Sequence, residues 1–410
     1  MTIPKFIKNI KKPFIYIEEY TIEDFFTPIK TTNKNILIKN VITNSAEYGL
    51  IPQKKFFEKN IVVDENINKY TIIKNGDFVY NPRKSASAPY GPFNCYTLIE
   101  PGIVSPLYFC IRPKNTEYID YLTYYFLSPI WYSYIYRNGN QGGARHDRVG
   151  MTYNLLMKIP IKLPNTEGIG KITKLFKTCD KRIKNQCNKI STLEVRKRGL
   201  LKSIFSKKIR FKTDDNKNFQ NWETSNLSYY LYENKDRNKA NTYSKSNVLS
   251  VTKDYGVVNQ IEYFGKSKAG EKVTDYHIVY NNNVIYTKSP LAKQPYGIIK
   301  TSNQTGIVST LYAVYHCYPN VIPQFIDYYF SIDDTLNKYL KPLVNIGAKH
   351  DMKINNEDVL SGLVSFPTSL EEQQKIVNFF IKIDQQILIE KKKLEAMKLV
   401  KKGLLQQIFI

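Results

Sequence analysis

The chain has 410 residues, of which 42% are hydrophobic, and its formal net charge is +24 at pH 7. This length accommodates two domains of about 100–200 residues, each with its own core. The sequence has no run of about 18 apolar residues, no secretory signal and no C-x-x-C spacing among its five cysteines. It therefore argues against a membrane span and predicts a reduced, cytoplasmic protein without a disulfide framework or a metal site.

The basic excess favours a polyanionic partner, because each Lys or Arg near a phosphate releases condensed counterions. Composition offers a second explanation, since lysines outnumber arginines 50 to 10 and an AT-rich genome produces the same bias. The 32 tyrosines are able to stack on unpaired bases, which favours RNA, but no RNP-type motif accompanies them. Charge alone leaves both explanations open.

Two stretches are predicted to fold as mixed α/β domains. Short β-branched and aromatic segments between Gly, Pro and Asn turns predict the strands of the first domain: 36–44, 71–74, 77–81, 94–99, 103–111 and 158–163. A helix is predicted at about 117–135. The strands of the second domain are predicted near 248–252, 276–280, 284–288, 298–301, 307–315 and 359–366. A helix near 323–340 completes it.

A long amphipathic helix follows each domain. In the first helix, apolar residues recur between Ile172 and Ile204 at steps of four and three, the period of a coiled coil. This stretch spans about 50 Å. Asn165 or Thr166 is the predicted N-cap. Residues 206–222 are polar and turn-rich, and we expect them to link the two halves of the chain.

The two long helices are copies of one another. Residues 171–205 align without a gap on residues 375–409, and 12 of the 35 paired positions are identical. We predict that the helices pair with each other as a coiled coil. The predicted apolar seam residues are Ile172, Phe176, Ile183, Ile190, Leu193, Leu200, Ile204, Ile376, Phe380, Ile383, Ile387, Leu394, Met397, Leu404 and Ile408.

Polar residues interrupt the seam at the same two places in both copies. These are Gln186 with Glu390 and Lys197 with Lys401, and such residues fix register at a cost in stability. Glycine also recurs, at Gly199 and Gly403, which indicates close packing or a kink unless both are neutral. At the start of the second helix, Ser369 and Glu372 have the spacing of a capping box.

The duplication extends through the domains. Pro89-Tyr90-Gly91 matches Pro295-Tyr296-Gly297, and Gly143–Asp147 matches Gly347–Asp351. The chain is therefore a tandem repeat of a unit of about 200 residues, which is too long for a solenoid.

No catalytic motif stands out in the sequence. There is no P-loop and none of the motifs of amino-methyltransferases. The repeated pairs His146-Asp147 and His350-Asp351 have the residue types of a general base and its carboxylate. However, neighbours on a strand point to opposite faces, and no repeated nucleophile accompanies them. A loop that contacts phosphate and a plain structural turn are the two stronger explanations.

Several segments resemble the specificity (S) subunits of type I DNA restriction–modification enzymes. The resemblance rests on the duplicated unit, on the segments 366–377 and 401–409, on Arg210-Phe211 followed by Asn221-Trp222, and on the segment 75–80. It covers essentially the whole chain. The first helix departs from it, because it has Thr166–Gly170 where the second has the Glu-Glu-Gln-Gln start.

The resemblance implies a non-catalytic subunit with two target recognition domains, each reading half of a bipartite, asymmetric site in double-stranded DNA. It implies domains at 1–164 and 208–367, with spacer helices at 165–207 and 368–410. The paired helices would form an antiparallel coiled coil and dock two methyltransferase (M) subunits, and motor-nuclease (R) subunits would complete the complex. S-adenosylmethionine, ATP and Mg²⁺ are then expected on those partners, with no cofactor in this chain.

Base-reading residues are predicted from residue type, since Arg is the best bidentate reader of guanine and Lys, Asn and Gln are weaker substitutes. All ten arginines lie at or before Arg237, so the second domain is expected to rely on those substitutes and on DNA shape. The candidate DNA-binding residues are Arg83, Lys84, Tyr90, Arg145, His146 and Arg148 in the first domain, and Lys288, Lys293, Gln294, Tyr296, Lys349 and His350 in the second.

Three alternatives stay open at this level. The chain could serve a stand-alone methylation system or another phage-defence system without a motor-nuclease. It could be a nuclease or methyltransferase with an unrecognised site. It could also be an RNA-binding or scaffold protein that uses the coiled coil to space two domains.

Overall fold

The structure is a computed structural model that describes residues 16–56, 64–139, 147–290, 294–346 and 352–409. The chain forms two compact units: unit 1 comprises Met1–Cys187 with Lys393–Ile410, and unit 2 comprises Asn188–Lys392. Both boundaries fall inside the long helices. Each unit therefore contains one α/β domain together with a part of each long helix.

Unit 1 is built on a four-stranded antiparallel sheet in the order β2-β9-β6-β7, with the two-stranded pairs β1-β10, β3-β4 and β5-β8. Its strands are β1 (Tyr16–Thr21), β2 (Phe26–Pro28), β3 (Ile42–Ser45), β4 (Gly49–Pro52), β5 (Thr71–Ile73), β6 (Phe78–Tyr80), β7 (Phe93–Cys95), β8 (Gly102–Val104), β9 (Phe109–Pro113) and β10 (Pro160–Pro164). Its short helices are α1 (Ile22–Phe25), α2 (Gln53–Phe56), α3 (Ile119–Leu127), α4 (Tyr132–Asn138) and α5 (Tyr153–Met157). A 3-10 helix spans Asp64–Lys69.

The first long helix, α6 (Thr166–Phe205), leads into unit 2, which repeats the four-stranded sheet in the order β12-β19-β16-β17. Its strands are β11 (Glu223–Asn226), β12 (Leu231–Glu233), β13 (Leu249–Thr252), β14 (Gly256–Asn259), β15 (His277–Val279), β16 (Val284–Thr287), β17 (Ile299–Thr301), β18 (Gly306–Val308), β19 (Tyr312–Cys317), β20 (Asn345–Ile346), β21 (Met352–Lys353) and β22 (Leu363–Phe366). The remaining helices are α7 (Gln260–Phe264), α8 (Pro323–Phe330), α9 (Asp333–Leu340) and the second long helix, α10 (Leu370–Ile408), with 3-10 helices at Leu227–Tyr229, Lys245–Asn247 and Asp358–Ser361.

All pairings between these strands are antiparallel, so the mixed class predicted from the sequence is confirmed in its α+β form. Two predicted elements are each divided in both units. The strand predicted at 103–111 is the pair β8 and β9, and the helix predicted at 117–135 is the pair α3 and α4. Pro129 explains the break in the helix, because a proline disfavours helical geometry in the residue before it.

The starts of the long helices combine local and distant contacts. Asn165 caps α6, since its Oδ1 accepts a hydrogen bond from the Gly168 amide at 2.8 Å. At α10 the Ser369 hydroxyl accepts a longer bond of 3.4 Å from the Glu372 amide. The predicted capping box is only half formed, because the Glu372 carboxylate is bound elsewhere. It accepts hydrogen bonds from Nε and Nη2 of Arg210 and from Nε1 of Trp222.

Every predicted seam residue is buried or half-buried. In unit 1, Asp180 of α6 forms an ion pair with Lys401 of α10. In unit 2, Lys197 of α6 forms an ion pair with Asp384 of α10. A second contact in each unit, Phe176 with Phe409 in unit 1 and Lys189 with Glu390 in unit 2, shows that residue numbers rise along one helix as they fall along the other. The predicted antiparallel pairing is therefore confirmed within each unit.

The last turn of a long helix completes the core of each unit. In unit 1, Phe409 stacks on Phe176 and contacts the rings of Tyr121 and Tyr125. In unit 2, the equivalent Phe205 contacts Trp222, Phe325 and Tyr329. Each core therefore contains residues from both repeats, and neither repeat holds all the apolar residues of one core.

The matched glycines in the long helices have no partner that requires them. A Cβ atom added to Gly199 or Gly403 would meet no atom within 4 Å in the described chain. Both helices are also continuous through these positions. Within the chain, the predicted close packing is therefore wrong, and the predicted kink stays a prediction.

Candidate nucleic-acid interface

Two backbone segments of unit 1 bring predicted cationic residues together. Arg83 and Arg148 form an isolated antiparallel bridge, and the Lys84 amide donates to the Asp147 carbonyl at 2.8 Å. Residues directly opposite in an antiparallel pair place their side chains on one face. Arg83 and Arg148 therefore lie on one face at the end of β6, and Lys84, which follows Arg83 in the chain, adds a third cation to this group.

The ion pair within this group is weak. Arg83 Nε lies 3.4 Å from Asp147 Oδ2, and both side chains are largely exposed, so water screens the pair. Arg148 is half-buried, and its Nε has no hydrogen-bond partner among the described residues. Arg145 and His146 lie outside the described residues. The guanidinium of Arg83 is thus held near its position but remains accessible to an anion.

The repeated Pro-Tyr-Gly motif is a tight turn whose glycine is required. Gly91 has a φ of +85°, and a Cβ there would lie 2.0 Å from the Asn81 carbonyl oxygen. Gly297 has a φ of +89° and the same clearance from the Thr287 oxygen. No other residue fits either turn without displacing the backbone.

Tyr90 and Tyr296, the candidate residues in these turns, are each fixed through their carbonyl groups. The hydroxyl of Tyr80 donates to the Tyr90 carbonyl at 2.6 Å, and the hydroxyl of Tyr286 donates to the Tyr296 carbonyl at 2.7 Å. The Tyr90 ring also packs against Tyr132. Both candidate tyrosines are half-buried, so only part of each ring is available to a ligand.

The candidates of unit 2 have different surroundings. Lys288 is half-buried at the end of β16, and burial lowers its pKa, as does the nearby charge of Arg237. Gln294 is only 1% exposed and donates from Nε2 to Asp333 Oδ1 at 2.6 Å. Its amide is therefore occupied in this conformation. Lys293, Lys349 and His350 lie outside the described residues.

Sequence reasoning did not single out Arg237, which lies beside Lys288 in unit 2. Arg237 forms an isolated antiparallel bridge with the buried His277, the first residue of β15. Burial, together with the charges of Arg237 and Lys288, lowers the pKa of His277 to about 4. The available signal was that Arg237 is the one arginine after Arg210.

The titratable groups of the described residues give little support to catalysis. No group of three or more His, Cys, Asp or Glu side chains in the described ranges is placed to hold a metal ion. Burial raises the pKa of the Cys95 thiol to about 11 and the pKa of Cys110 to about 12, which disfavours a reactive thiolate. Within the same ranges, every helix is too short or too polar to cross a bilayer.

Exposed apolar residues recur at equivalent positions of the two units. Tyr48 and Tyr255, at the tips of the β3-β4 and β13-β14 hairpins, are 59% and 69% exposed. On the long helices, Val195 and Leu399 are 55% and 70% exposed. Each lies four residues before one of the matched glycines, and therefore on the same helix face. Both units thus present an apolar residue next to a helix surface that a glycine leaves open.

Comparison with known proteins gives one informative likeness. A chain in a structure of a type I restriction–modification system, described for its complex assembly and conformational transition, aligns with a TM-score of 0.53 at 13% identity. The alignment covers 96% of this chain and 97% of that one. An HsdS subunit from Thermoanaerobacter tengcongensis (TM-score 0.44, 13% identity, 96% of each chain) and a type I S subunit from M. genitalium (0.45, 11%, 97% and 99%) align more weakly. No protein-family model and no curated protein matches the sequence.

The first likeness establishes the class of the fold. The chain has two tandem α+β units joined through long paired helices, and this fold extends over nearly all of a component of a type I restriction–modification system. The resemblance seen in the sequence is therefore confirmed at the level of the fold.

Proposed function

We propose that this chain is the sequence-specific DNA-binding subunit of a type I restriction–modification complex. The observation that carries the proposal is the fold, which is duplicated and matches a component of such a system over 96% of the chain. The net charge of +24 agrees with a DNA partner. Since the chain contains two units that differ in sequence, each unit would read one half of a bipartite, asymmetric site.

Differences between the units support two readers of different sequence. Unit 1 has Arg83, Lys84 and Arg148 at the end of β6, whereas the aligned residues of unit 2 are Ser289, Pro290 and Met352. A conserved scaffold with different donors is what reading of two unlike half-sites requires, because the donor pattern selects the base pair. Gln294 is not part of the proposed contact set, since Asp333 occupies its amide.

Features that the units share support docking of two copies of one partner. The exposed Val195 and Leu399 and the open surfaces at Gly199 and Gly403 occur once in each unit. Each glycine costs a helix about 1 kcal/mol relative to alanine, and no contact within the described chain accounts for it. A partner helix that packs closely against Gly199 or Gly403 would account for the glycine. We propose that the partners are two methyltransferase subunits.

The chemistry is proposed to belong to the partners. S-adenosylmethionine would bind the methyltransferase subunits, and ATP and Mg²⁺ would bind motor-nuclease subunits, with this chain as the non-catalytic reader. The site of action would be cytoplasmic DNA. A stand-alone methylation or other defence system without the motor-nuclease would use the same chain in the same way.

The first test is co-expression of the chain with the methyltransferase encoded beside it, followed by mapping of modified adenines in the host DNA. One motif with two short blocks and a fixed unread gap is expected. An uninterrupted motif would contradict the two-reader proposal. Absence of any motif from a folded complex, or S-adenosylmethionine-dependent methylation by the chain alone, would contradict the proposed role.

A matched pair of substitutions tests whether Arg83 contacts the DNA backbone. Arg83→Ala is expected to weaken duplex binding and to lower the slope of log K against log salt by about 0.9, one phosphate contact. Lys181→Ala removes an exposed lysine from α6 and serves as the control, with an unchanged slope. Tighter binding of single-stranded RNA than of duplex DNA by the same complex would favour the RNA-binding alternative.

A further inference from the structure

The region of unit 2 around His277 holds two cations in a fixed arrangement. The Arg237–His277 bridge is flanked by hydrogen bonds from the Asn238 amide to the Tyr276 carbonyl (3.0 Å) and from the Ile278 amide to the Asp236 carbonyl (3.1 Å). Lys288 is tied to the neighbouring turn by a bond from its amide to the Leu311 carbonyl at 3.2 Å. Both charges lie close enough to His277 to act on its ring.

Neither cation has a carboxylate partner in the described ranges. Arg237 donates from Nη1 to the Asp275 carbonyl oxygen at 3.1 Å, and the Asp275 carboxylate, which pairs with Lys239, attracts the guanidinium at a distance. Glu233 attracts Lys288 at a distance, but its Oε1 accepts from Asn356 Nδ2 at 2.6 Å. Two half-buried cations without a direct counter-ion destabilise the unit, and a bound anion removes that cost.

His277 lies near both cations and is itself neutral. It is 1% exposed, and its Nδ1 has no hydrogen-bond partner among the described residues. With a pKa of about 4 it carries no charge at neutral pH. It therefore adds no positive charge to those of Arg237 and Lys288.

Unit 1 has no such pair at the equivalent positions. The bridge that Arg237 makes with His277 is made in unit 1 by Thr32 and Thr71. Pro82 stands in line with Lys288. Two candidate arginines of unit 1, Arg83 and Arg148, lie instead on two segments that bridge each other near the end of β6. The cationic groups of the two units are thus supplied from different segments of the same scaffold.

We propose that Arg237 and Lys288 together form a DNA contact of unit 2, in which Arg237 determines specificity at one base pair of the second half-site and Lys288 binds a phosphate. The Nε and Nη2 groups of Arg237 are unoccupied in the described chain, and this edge of the guanidinium matches the O6 and N7 acceptors of guanine. Lys288 supplies a point charge, as phosphate binding requires. The inference rests on the proposed function and adds to it a residue that the sequence did not indicate.

The test uses the complex with the methyltransferase and a duplex that carries the mapped motif. Lys288→Ala is expected to lower the salt slope by about 0.9 and to leave the motif unchanged. Arg237→Ala is expected to relax one base of the second block, with about a 10- to 100-fold loss of discrimination there. Arg237→Lys keeps the charge but lacks the bidentate hydrogen-bond donor. It is therefore expected to relax specificity at the same base with a nearly normal salt slope.

The controls separate this proposal from the one on which it rests. Arg83→Ala is expected to act on the first block, and the melting temperature of each variant reports whether unit 2 is folded. If folded Arg237→Ala and Lys288→Ala complexes keep the wild-type motif, affinity and slope, the contact proposed here is wrong although the chain still reads DNA. A wild-type complex that does not bind the duplex instead refutes the proposed function itself.

Discussion

The two units fasten their long helices in the same way but stabilise their sheets differently. In unit 1, the Asp180 carboxylate accepts from the Tyr124 hydroxyl at 2.8 Å and pairs with Lys401 at 2.5 Å. In unit 2, Asp384 makes the same two contacts with Tyr328 and Lys197, at 2.9 and 2.5 Å. Each lysine also lies over the ring of its tyrosine, at 5.5 and 5.3 Å from the centroid.

The polar pair in the four-stranded sheet differs between the two units. In unit 1, the buried Asp77 accepts two hydrogen bonds from the Arg112 guanidinium, at 2.8 and 2.7 Å. In unit 2, the aligned residues are Asn283 and His316, whose side chains meet at 3.0 Å. The backbone turn is the same, since Asp77 and Asn283 each accept from the amide three residues earlier. An ion pair in one unit is therefore replaced by a neutral pair in the other.

The comparison indicates which positions the duplication left free to vary. Helix pairing is common to both units and needs the same register twice, so its polar residues coincide. The sheet tolerates any pair that satisfies its buried groups, because a buried polar group is costly only when it lacks a partner. The same freedom applies to the exposed donors that we propose contact DNA.

The largest expected effect distinguishes the two cores. Phe409→Ala removes a ring that is 1% exposed in unit 1, and a loss of about 3–5 kcal/mol is expected there. The matched Phe205→Ala removes a half-buried ring in unit 2, where Trp222 still covers the site, so about 1–3 kcal/mol is expected. Hydrogen exchange resolved along the chain during urea unfolding measures each unit by itself. Equal losses would contradict the difference in core packing.

Exchange of the sheet pairs tests whether each unit depends on its own chemistry. Asp77→Asn leaves Arg112 without its carboxylate, and we expect a loss of about 2–3 kcal/mol in unit 1. Asn283→Asp buries a charge beside His316 without a cation and is expected to cost at least as much in unit 2. The double variant Asp77→Asn, Arg112→His copies unit 2 and should recover part of the loss. If the losses of Asp77→Asn and Arg112→His simply add in the double variant, the Asn–His pair does not replace the Asp–Arg pair in unit 1.

Removal of the shared carboxylates should affect both units alike. Asp180→Asn and Asp384→Asn keep an acceptor for the tyrosine but remove the partner of the lysine. Because the carboxylates are 43% and 40% exposed, a loss of about 1 kcal/mol is expected for each. The melting temperatures of the two variants should agree closely. A clear difference between them would mean that the two pairings are not equivalent in energy.

The smallest expected effect has the opposite sign. Gly199→Ala and Gly403→Ala fill open space, so each is expected to stabilise the chain by about 0.5–1 kcal/mol. In the complex the same substitutions should weaken binding of the methyltransferase, because the added methyl group lies where we propose that the partner packs. Titration of the partner by calorimetry checks this. Unchanged affinity with raised stability would remove the glycines from the proposed docking surface.

Local patterns predicted much of the fold. The 4-3 spacing of apolar residues predicted the long helices and the burial of positions such as Ile172 and Leu404, because helical period depends on near neighbours alone. The repeat predicted that the helices pair, and the family resemblance implied that the pairing is antiparallel. The divided elements were missed, since a turn of a few residues between two apolar segments leaves little signal.

The candidate site was less predictable. The sequence singled out Arg83 and Lys84, whose DNA contacts stay a prediction, but it did not indicate that Gln294 is buried against Asp333 or that the charge of Arg237 acts on Lys288. In each case the partners are separated by 39 or more residues along the chain. A pattern confined to neighbours in sequence carries no information about such pairs.

The sequence by itself determined the duplication and the helix period, and it limited the cap of the first long helix to Asn165 or Thr166. The period and the cap depend on residues within a few turns of one another. Only the tertiary structure decided that Glu372 binds Arg210 and Trp222 in place of its own helix start. It also decided that each core is completed by the end of a long helix. These outcomes depend on which distant groups come within a few ångströms, and that is fixed only when the whole unit packs.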